Sequence, residues 1–305
     1  MGKKGEAAMT TSEKQDAIKK WRALEAMPVG HDFEVYHLLD EHYEHSIFHS
    51  HSYYEFYIFL HGSVGIMIED QEYDVSPYDF FLFPPGYMHR NRPHARDNLN
   101  YERAYFYLTE NMLQSMDSQD CSLSGIIAGA VKEHRFHYHL SRQTCEELVR
   151  RMDRIIETEG STNPIDLCIN RARMMILVAS LCGQMQTDIS HAGVPVNSIA
   201  ASVLQYLNQH LTESVSLDQL ADMFFVNKYH MLHEFKEKTG TSIHQYLLMK
   251  RIVYAQMLMK NGASSVQAAH DSGFEDYTGF YRAFKSRTGY APTEYIRYLG
   301  RTADD

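Results

Sequence analysis

A short phrase occurs twice near the C-terminus, and it limits what this chain can fold into. Phe235-Lys236-Glu237-Lys238-Thr239-Gly240 returns 49 residues later as Phe284-Lys285-Ser286-Arg287-Thr288-Gly289. The correspondence extends to Asn227 with Asp276, His233 with Arg282, and Tyr246 with Tyr295. A repeat of this length is one supersecondary unit used twice. Helix-capping residues open each copy and a glycine closes it, so the predicted unit is a helix-turn-helix module. Two modules in tandem can read successive turns of a groove, which makes double-stranded DNA, bound sequence-specifically, the expected partner.

Ser216 is placed to cap a helix over 217–223, and Asn227 one over 228–239 with Gly240 as its stop. Ser242 opens a long helix, 243–261, ended by Gly262; at 1.5 Å per residue it is a spacer of about 27 Å. The second module repeats the plan, with a short helix to Ser272, a cap at Asp276 and a helix over 277–288 closed by Gly289. Pro292 suits the first turn of a last helix. Helical spacing turns Met231 and Phe235 inward, as it does Phe280 and Phe284. It leaves Tyr229, Leu232, His233 and Lys236 outward in the first module. In the second it leaves Tyr277, Thr278, Tyr281, Arg282 and Lys285 outward. These nine are the candidate DNA-binding residues. Arg282 is the leading candidate for a base, because a guanidinium grips guanine O6 and N7 together.

The 305 residues allow two domains with separate cores. The net charge of −10 is unevenly spread: residues 198–305 hold 11 Lys+Arg and 11 Asp+Glu, so the whole excess lies on residues 1–197. A neutral C-terminal part speaks against strong non-specific DNA affinity. Lys236, Lys238, Lys285 and Arg287 recur at matching repeat positions and supply local positive charge instead. Four scattered cysteines without a CxxC pair exclude a disulfide framework and a thiolate metal site. The polar N-terminus lacks a secretory pattern, and the longest apolar run, 174–182, is too short to span a bilayer. A soluble cytoplasmic protein without a membrane partner is expected.

Residues 1–30 read as an N-terminal arm. From 31 to 110 the chain shows short β-type runs at 49–60, 64–69, 73–75 and 80–83, separated by turn residues, which predict a β-barrel or double-sheet roll. Residues 111–190 read as helical, with segments near 143–159 and 166–186. The apolar stripe Leu167, Met174, Leu177, Val178 and Leu181 suits packing onto the barrel, pairing of two chains in a homodimer, or both. Gly193 and Pro195 mark 191–197 as a linker, and 198–300 holds the tandem modules.

The C-terminal pattern resembles a known family. Leu220-Ala221, Tyr229, Phe235-Lys236, Gly240 and Tyr246, then Gly273-Phe274, Phe280, Phe284-Lys285, Gly289, Pro292 and Tyr295, resemble the DNA-binding region of AraC-type transcription regulators. Asn227 stands for the usual Ser cap, Ser265 where an apolar residue is favoured, and His233 where Arg is frequent. Upstream, His49-x-His51-x3-Glu55-x6-Gly62 followed by Pro84-x-Gly86-x2-His89 resembles the two motifs of the cupin barrel, with Tyr78 in place of a glycine. The two resemblances agree, since AraC-type regulators often carry such a barrel as an effector sensor. The implied fold is α+β and multidomain. It has an N-terminal cupin-like β-barrel with trailing helices and a C-terminal all-α domain with two helix-turn-helix modules. Contact with RNA polymerase is implied by the resemblance alone.

In metal-binding cupins the positions of His49, His51, Glu55 and His89 hold one divalent ion. Three imidazoles and a carboxylate suit Fe, Mn, Ni, Zn or Cu. The same groups with Tyr53 and Tyr57, which share the odd-numbered strand face, can instead bind a small polar effector directly, or form a buried polar network. Tyr53, Tyr57, Arg103 and Tyr107 together point toward a carbohydrate-like ligand. His31, His37, His42, His45, His94, His134, His137 and His139 lack ligand spacing and are expected mostly at the surface. The function expected is a ligand-responsive transcription regulator, not an enzyme, with no catalytic residue assigned. The alternative is a metal-dependent cupin enzyme, a dioxygenase or sugar isomerase, using Tyr53, Tyr57 or Tyr107 as acid or base. That alternative leaves the C-terminal third unexplained. A third reading is an effector-binding adaptor whose modules no longer bind DNA.

Overall fold

The computed structural model describes residues 32–40, 48–93, 100–187, 194–195 and 198–304. The N-terminal arm and His31, His42, His45 and His94 lie outside the described residues, as does most of the 191–197 linker.

Nine strands are described: β1 Phe33–Asp40, β2 Tyr54–His61, β3 Val64–Ile68, β4 Gln71–Asp74, β5 Asp79–Phe83, β6 His89–Pro93, β7 Tyr101–Leu108, β8 His137–His139 and β9 Val194–Pro195. They form a five-stranded sheet, β1-β7-β2-β5-β8, and a four-stranded sheet, β6-β3-β4-β9. Strand alternation separates two cores. Tyr57 and Phe59 point between the sheets, against Ile66, Ile68 and Tyr73. Tyr54, Phe56 and Ile58 point the other way, under the helices. The roll form of the expected cupin-like architecture is the one adopted: among the described residues the two sheets face each other and do not close into one wall.

Several boundaries differ from the sequence expectation. Strand β2 begins at Tyr54, not at 49, because the chain bends at 52–53 and the His51 ring bonds the Tyr53 carbonyl. Strands β1, β6 and β7 were not marked by the apolar runs. Strand β8 lies inside the stretch expected to be helical and extends the larger sheet at β5. Val194 and Pro195, inside the expected linker, pair with β4. Tyr78, at the position where the motif has glycine, takes φ +76. Backbone bonds from Tyr78 N to Phe59 O and from Leu140 N to Tyr78 O hold it there.

Four helices cover the larger sheet: α1 Glu110–Ser115, α2 Leu123–Lys132, α3 Arg142–Ile156 and α4 Pro164–Thr187. Helix α4 buries Met174, Leu177, Val178 and Leu181. Leu167, read with them as one stripe, is 50% exposed, in company with Ile165, Ile169, Met175 and Ile176.

The C-terminal domain follows as α5 Ile199–Gln209, α6 Leu217–Met223, α7 Lys228–Thr239, α8 Ile243–Lys260, α9 Ser265–Asp271, α10 Tyr277–Thr288 and α11 Pro292–Asp304. Side chains of Ser216, Asn227, Ser242 and Asp276 cap their helices as the sequence predicts, and Gly240 and Gly289 end α7 and α10 at φ +75 and +80. Helix α8 serves two cores. Ile243, Tyr246, Leu247 and Met249 pack in the first module, and Ile252, Ala255 and Met259 in the second. Ser265 is buried, and its hydroxyl meets the Tyr277 hydroxyl at 3.1 Å, which satisfies the polar group standing at a position that favours apolar residues.

The two domains are docked. Phe48, Met67 and Met88 of the sheets join the core of the first module. Glu69, in the β3–β4 turn, accepts from Met88 N and Lys250 Nζ at 2.8 Å, Asn208 Nδ2 at 2.7 Å and Tyr246 OH at 2.9 Å. Lys250 also donates to Gly86 O, and Lys260 to Ser52 O. Burial pushes the Lys260 ammonium down to about 8.

Candidate effector site and DNA-reading helices

The bend ahead of β2 and the start of β6 bring the motif histidines together. His49 and His89 exchange backbone bonds in an isolated bridge, at 3.0 and 2.8 Å, which fixes the two motif segments side by side. One ligand atom from each of His49, Glu55 and His89 lies within 4.8 Å of the others. His51 completes the group, its Nε2 lying 3.0 Å from Glu55 Oε2, while His89 Nε2 is 3.3 Å from the same oxygen. His51, Glu55 and His89 are buried, and His49 is half-buried.

Aromatic rings set the imidazole planes. Tyr53 stacks on His51 with centroids 4.1 Å apart, and Phe83 on His89 at 4.2 Å. Tyr107 lies 4.5 Å from Tyr53 and closes one wall. The outer nitrogens are anchored, with His51 Nδ1 2.9 Å from Tyr53 O and His89 Nδ1 3.0 Å from Tyr87 O. Since a carbonyl only accepts, each Nδ1 carries the proton, so each Nε2 meets Glu55 as a donor when its ring is an imidazolium and as a lone pair when the ring is neutral. Burial alone would push the Glu55 carboxyl up, yet hydrogen bonds from His51 and His89 hold it well below the usual carboxylate range. Burial pushes His51 below its ordinary value.

The site residues do not all converge. Tyr57 is buried between the sheets, but its hydroxyl is bonded to Tyr101, which also accepts from Asn91 Nδ2. Arg103 donates to Asp40 at 2.7 Å and lies over the Tyr101 ring. Phe83 went unread as a site residue because only its ring stack with His89, from one sheet to the other, marks it.

Of the remaining histidines, expected mostly at the surface, His137 is buried and His37 half-buried among the described residues. His137 lies 2.8 Å from Asp79, whose other oxygen takes His139. His37 bridges Glu102 and Asp153 at 3.0 and 2.8 Å. Both clusters join residues far apart in sequence, so no local spacing announces them.

In the C-terminal domain Met231, Phe235, Phe280 and Phe284 are fully buried, as predicted. Tyr229 is 81% exposed, and His233, Lys236, Thr278, Arg282 and Lys285 are exposed with it. Tyr281 is half-buried. Leu232 packs partly against the first-module core, and Tyr277 shares its hydroxyl with Ser265, so these two are less available to DNA than the helical wheel suggested. Phe225, which the sequence reading passed over, is 95% exposed in the turn between α6 and α7 at φ +54.

Known proteins match both halves. Residues 31–169 match the family described as AraC-like ligand binding domain, and residues 220–298 the family described as Helix-turn-helix domain. The HTH-type transcriptional regulator YbfI of Bacillus subtilis is 25% identical over 237 residues, 75% of this chain and 78% of that protein. The HTH-type transcriptional activator RhaS of Escherichia fergusonii is 23% identical over 256 residues, covering 81% and 86%. Among solved structures, ToxT from Vibrio cholerae aligns with a TM-score of 0.37 and 13% identity, over 88% of this chain and 98% of that one. Among the described residues no helix is long and apolar enough to cross a membrane.

Proposed function

Because the chain belongs to the AraC-type transcription regulators, with a ligand-binding domain ahead of DNA-binding helix-turn-helix modules, we propose that the histidine pocket is its effector sensor and that a divalent cation is part of it. The observation that carries this reading is the convergence of two ring nitrogens on one carboxylate oxygen. With both Nδ1 atoms donating to backbone carbonyls, the Nε2 atoms of His51 and His89 aim at Glu55 Oε2 from 3.0 and 3.3 Å. With both rings neutral, three electron-rich atoms at that separation repel unless a cation lies among them; protons on the two Nε2 atoms are the competing source of that charge. His49, His51, Glu55 and His89 would hold the ion, and the nitrogen-rich donor set suits Fe, Mn, Ni, Zn or Cu. When bound, such an ion supplies a Lewis-acidic anchor for oxygens of a small polar effector, a carbohydrate-like molecule being the chemistry that fits. Tyr53 and Tyr107 wall the pocket on one side.

The chain is read as a sensor and not as a catalyst. Tyr57, one of the groups a catalytic reading needs, is committed to Tyr101. The exposed side of α4, with Ile165, Ile169, Met175 and Ile176, is the proposed homodimer surface. Effector binding changes DNA affinity to the extent that it prefers one arrangement of the two domains. Promoter DNA, read out by RNA polymerase in the cytoplasm, is the proposed setting.

Two measurements test this. Selection of duplexes from a random library should enrich a two-part motif with halves about 10 base pairs apart. Metal analysis of protein purified without chelator or metal resin should give near-stoichiometric transition metal that Glu55→Gln loses. Protein that binds DNA but takes up none of the five metals when each is added would leave the regulator standing and remove the cation.

A further inference from the structure

The turns of the two modules open on a left-handed residue at the same position, although the second runs one residue further, through Glu275, before its cap. In the second, Gly273 takes φ +86, and a Cβ there would lie 2.7 Å from Thr212 Cα, so no side chain fits. In the first, the matching position is Phe225 at φ +54. The residues that follow fix the register, since Val226 N donates to Ala221 O and Phe274 N to Ala269 O. A left-handed backbone disfavours any residue with a Cβ, most of all a bulky one. Phe225 has almost no burial, being 95% exposed. Met223 at 48% and Tyr229 at 81% make the same corner apolar, on either side of the Asn227 cap. The patch is therefore continuous with the outward face of α7.

We infer that Phe225 is a DNA-contacting residue that lies along the wall of the major groove and reads thymine 5-methyl groups in the half-site of the first module. The inference rests on the assignment of α7 as a recognition helix. The thymine methyl is the apolar group that a base pair presents in the major groove, and it projects toward the backbone of its own strand. A ring two residues ahead of the helix cap is placed to meet that edge, while Tyr229 follows in the first turn. The two modules divide the chemistry. Each offers a lysine, Lys236 and Lys285, but the second adds Arg282 for polar base edges where the first has His233 beside the apolar Phe225 and Tyr229. A protein partner such as a polymerase subunit is the competing occupant.

The test uses the full chain and a duplex obtained by selection. Wild type, Phe225→Gly and Phe225→Asn are titrated against that duplex and against copies in which the thymines of one half-site are replaced by deoxyuridine. Gly and Asn tolerate positive φ, so both variants should keep or raise the melting temperature. Both should bind the thymine duplex roughly tenfold more weakly, the scale of one mismatched base pair. Deoxyuridine in the first-module half-site should weaken wild type comparably and leave the variants unchanged. Variants that bind as tightly as wild type would overturn the inference, and if polymerase-dependent transcription alone then falls, the partner is a protein. Equal losses on thymine and uracil duplexes would also overturn it. Failure of wild type to select any duplex would sink the recognition-helix assignment itself, a different result.

Discussion

Glu69 offers a perturbation whose size follows from the structure. Its backbone takes φ +50, a region that favours glycine, and its carboxylate takes four donors from both domains. Glu69→Gly relieves the backbone by about 1 kcal/mol. It also leaves the Lys250 ammonium, 11% exposed, with Gly86 O as the contact named above. Removing one partner of a buried ion pair costs about 3–5 kcal/mol. The net expectation is a loss of about 2–4 kcal/mol, read by urea denaturation monitored by circular dichroism. Adding Lys250→Met removes the stranded charge, so the double variant should be more stable than the sum of the single losses by about 1–3 kcal/mol. A Glu69→Gly protein as stable as wild type would refute the reasoning, because backbone relief would then outweigh the carboxylate. Strict additivity would show that Glu69 and Lys250 do not act as a pair.

Other expectations are as direct. Arg282→Ala should weaken binding to the selected duplex by about 1–3 kcal/mol and relax preference at one base pair; uniform loss over all substitutions would mark a phosphate contact. Burial alone would push His37 down, but Asp153 and Glu102 hold its pKa above the ordinary 6.5. Its contribution is therefore full below that value and lost as pH rises through the folded pKa. His37→Gln should flatten the fall in urea midpoint as pH rises above 6.5, and an unchanged slope would exclude His37 as its source. Ile176→Glu on the exposed side of α4 should shift a dimer to monomer in analytical ultracentrifugation, with helix content unchanged. A dimer that survives this change pairs through another surface.

What the sequence made legible was local. Asn227, Ser242 and Asp276 announce helix starts because a cap bonds a backbone N–H two or three residues on. Gly240 and Gly289 announce stops for the same short-range reason. The His49, His51, Glu55 and His89 grouping was legible from motif spacing, although the chain bends where an unbroken strand was expected. Non-local pairing left no such mark. Strand β8 is three residues long and exists because β5 offers it an edge, and His137 is buried because Asp79 lies across that pairing. Glu69 reads as an ordinary hairpin residue until α5 and α8 arrive from more than a hundred residues away. The helical wheel of α7 could not show that Leu232 leans on its own module's core.

Helix α8 is one unbroken rod with an end in each module and two lysines resting on the sensor. Lys250 holds the carbonyl of Gly86, three residues before His89; Lys260 holds that of Ser52, the residue after His51. A rod of about 27 Å fixed at two points behaves as a lever. A displacement of either histidine segment reaches the rod through these two contacts, and a stiff response would tilt it. Tilting moves both recognition helices together, so what changes along the DNA is their phase against the two half-sites and not the grip of either one alone.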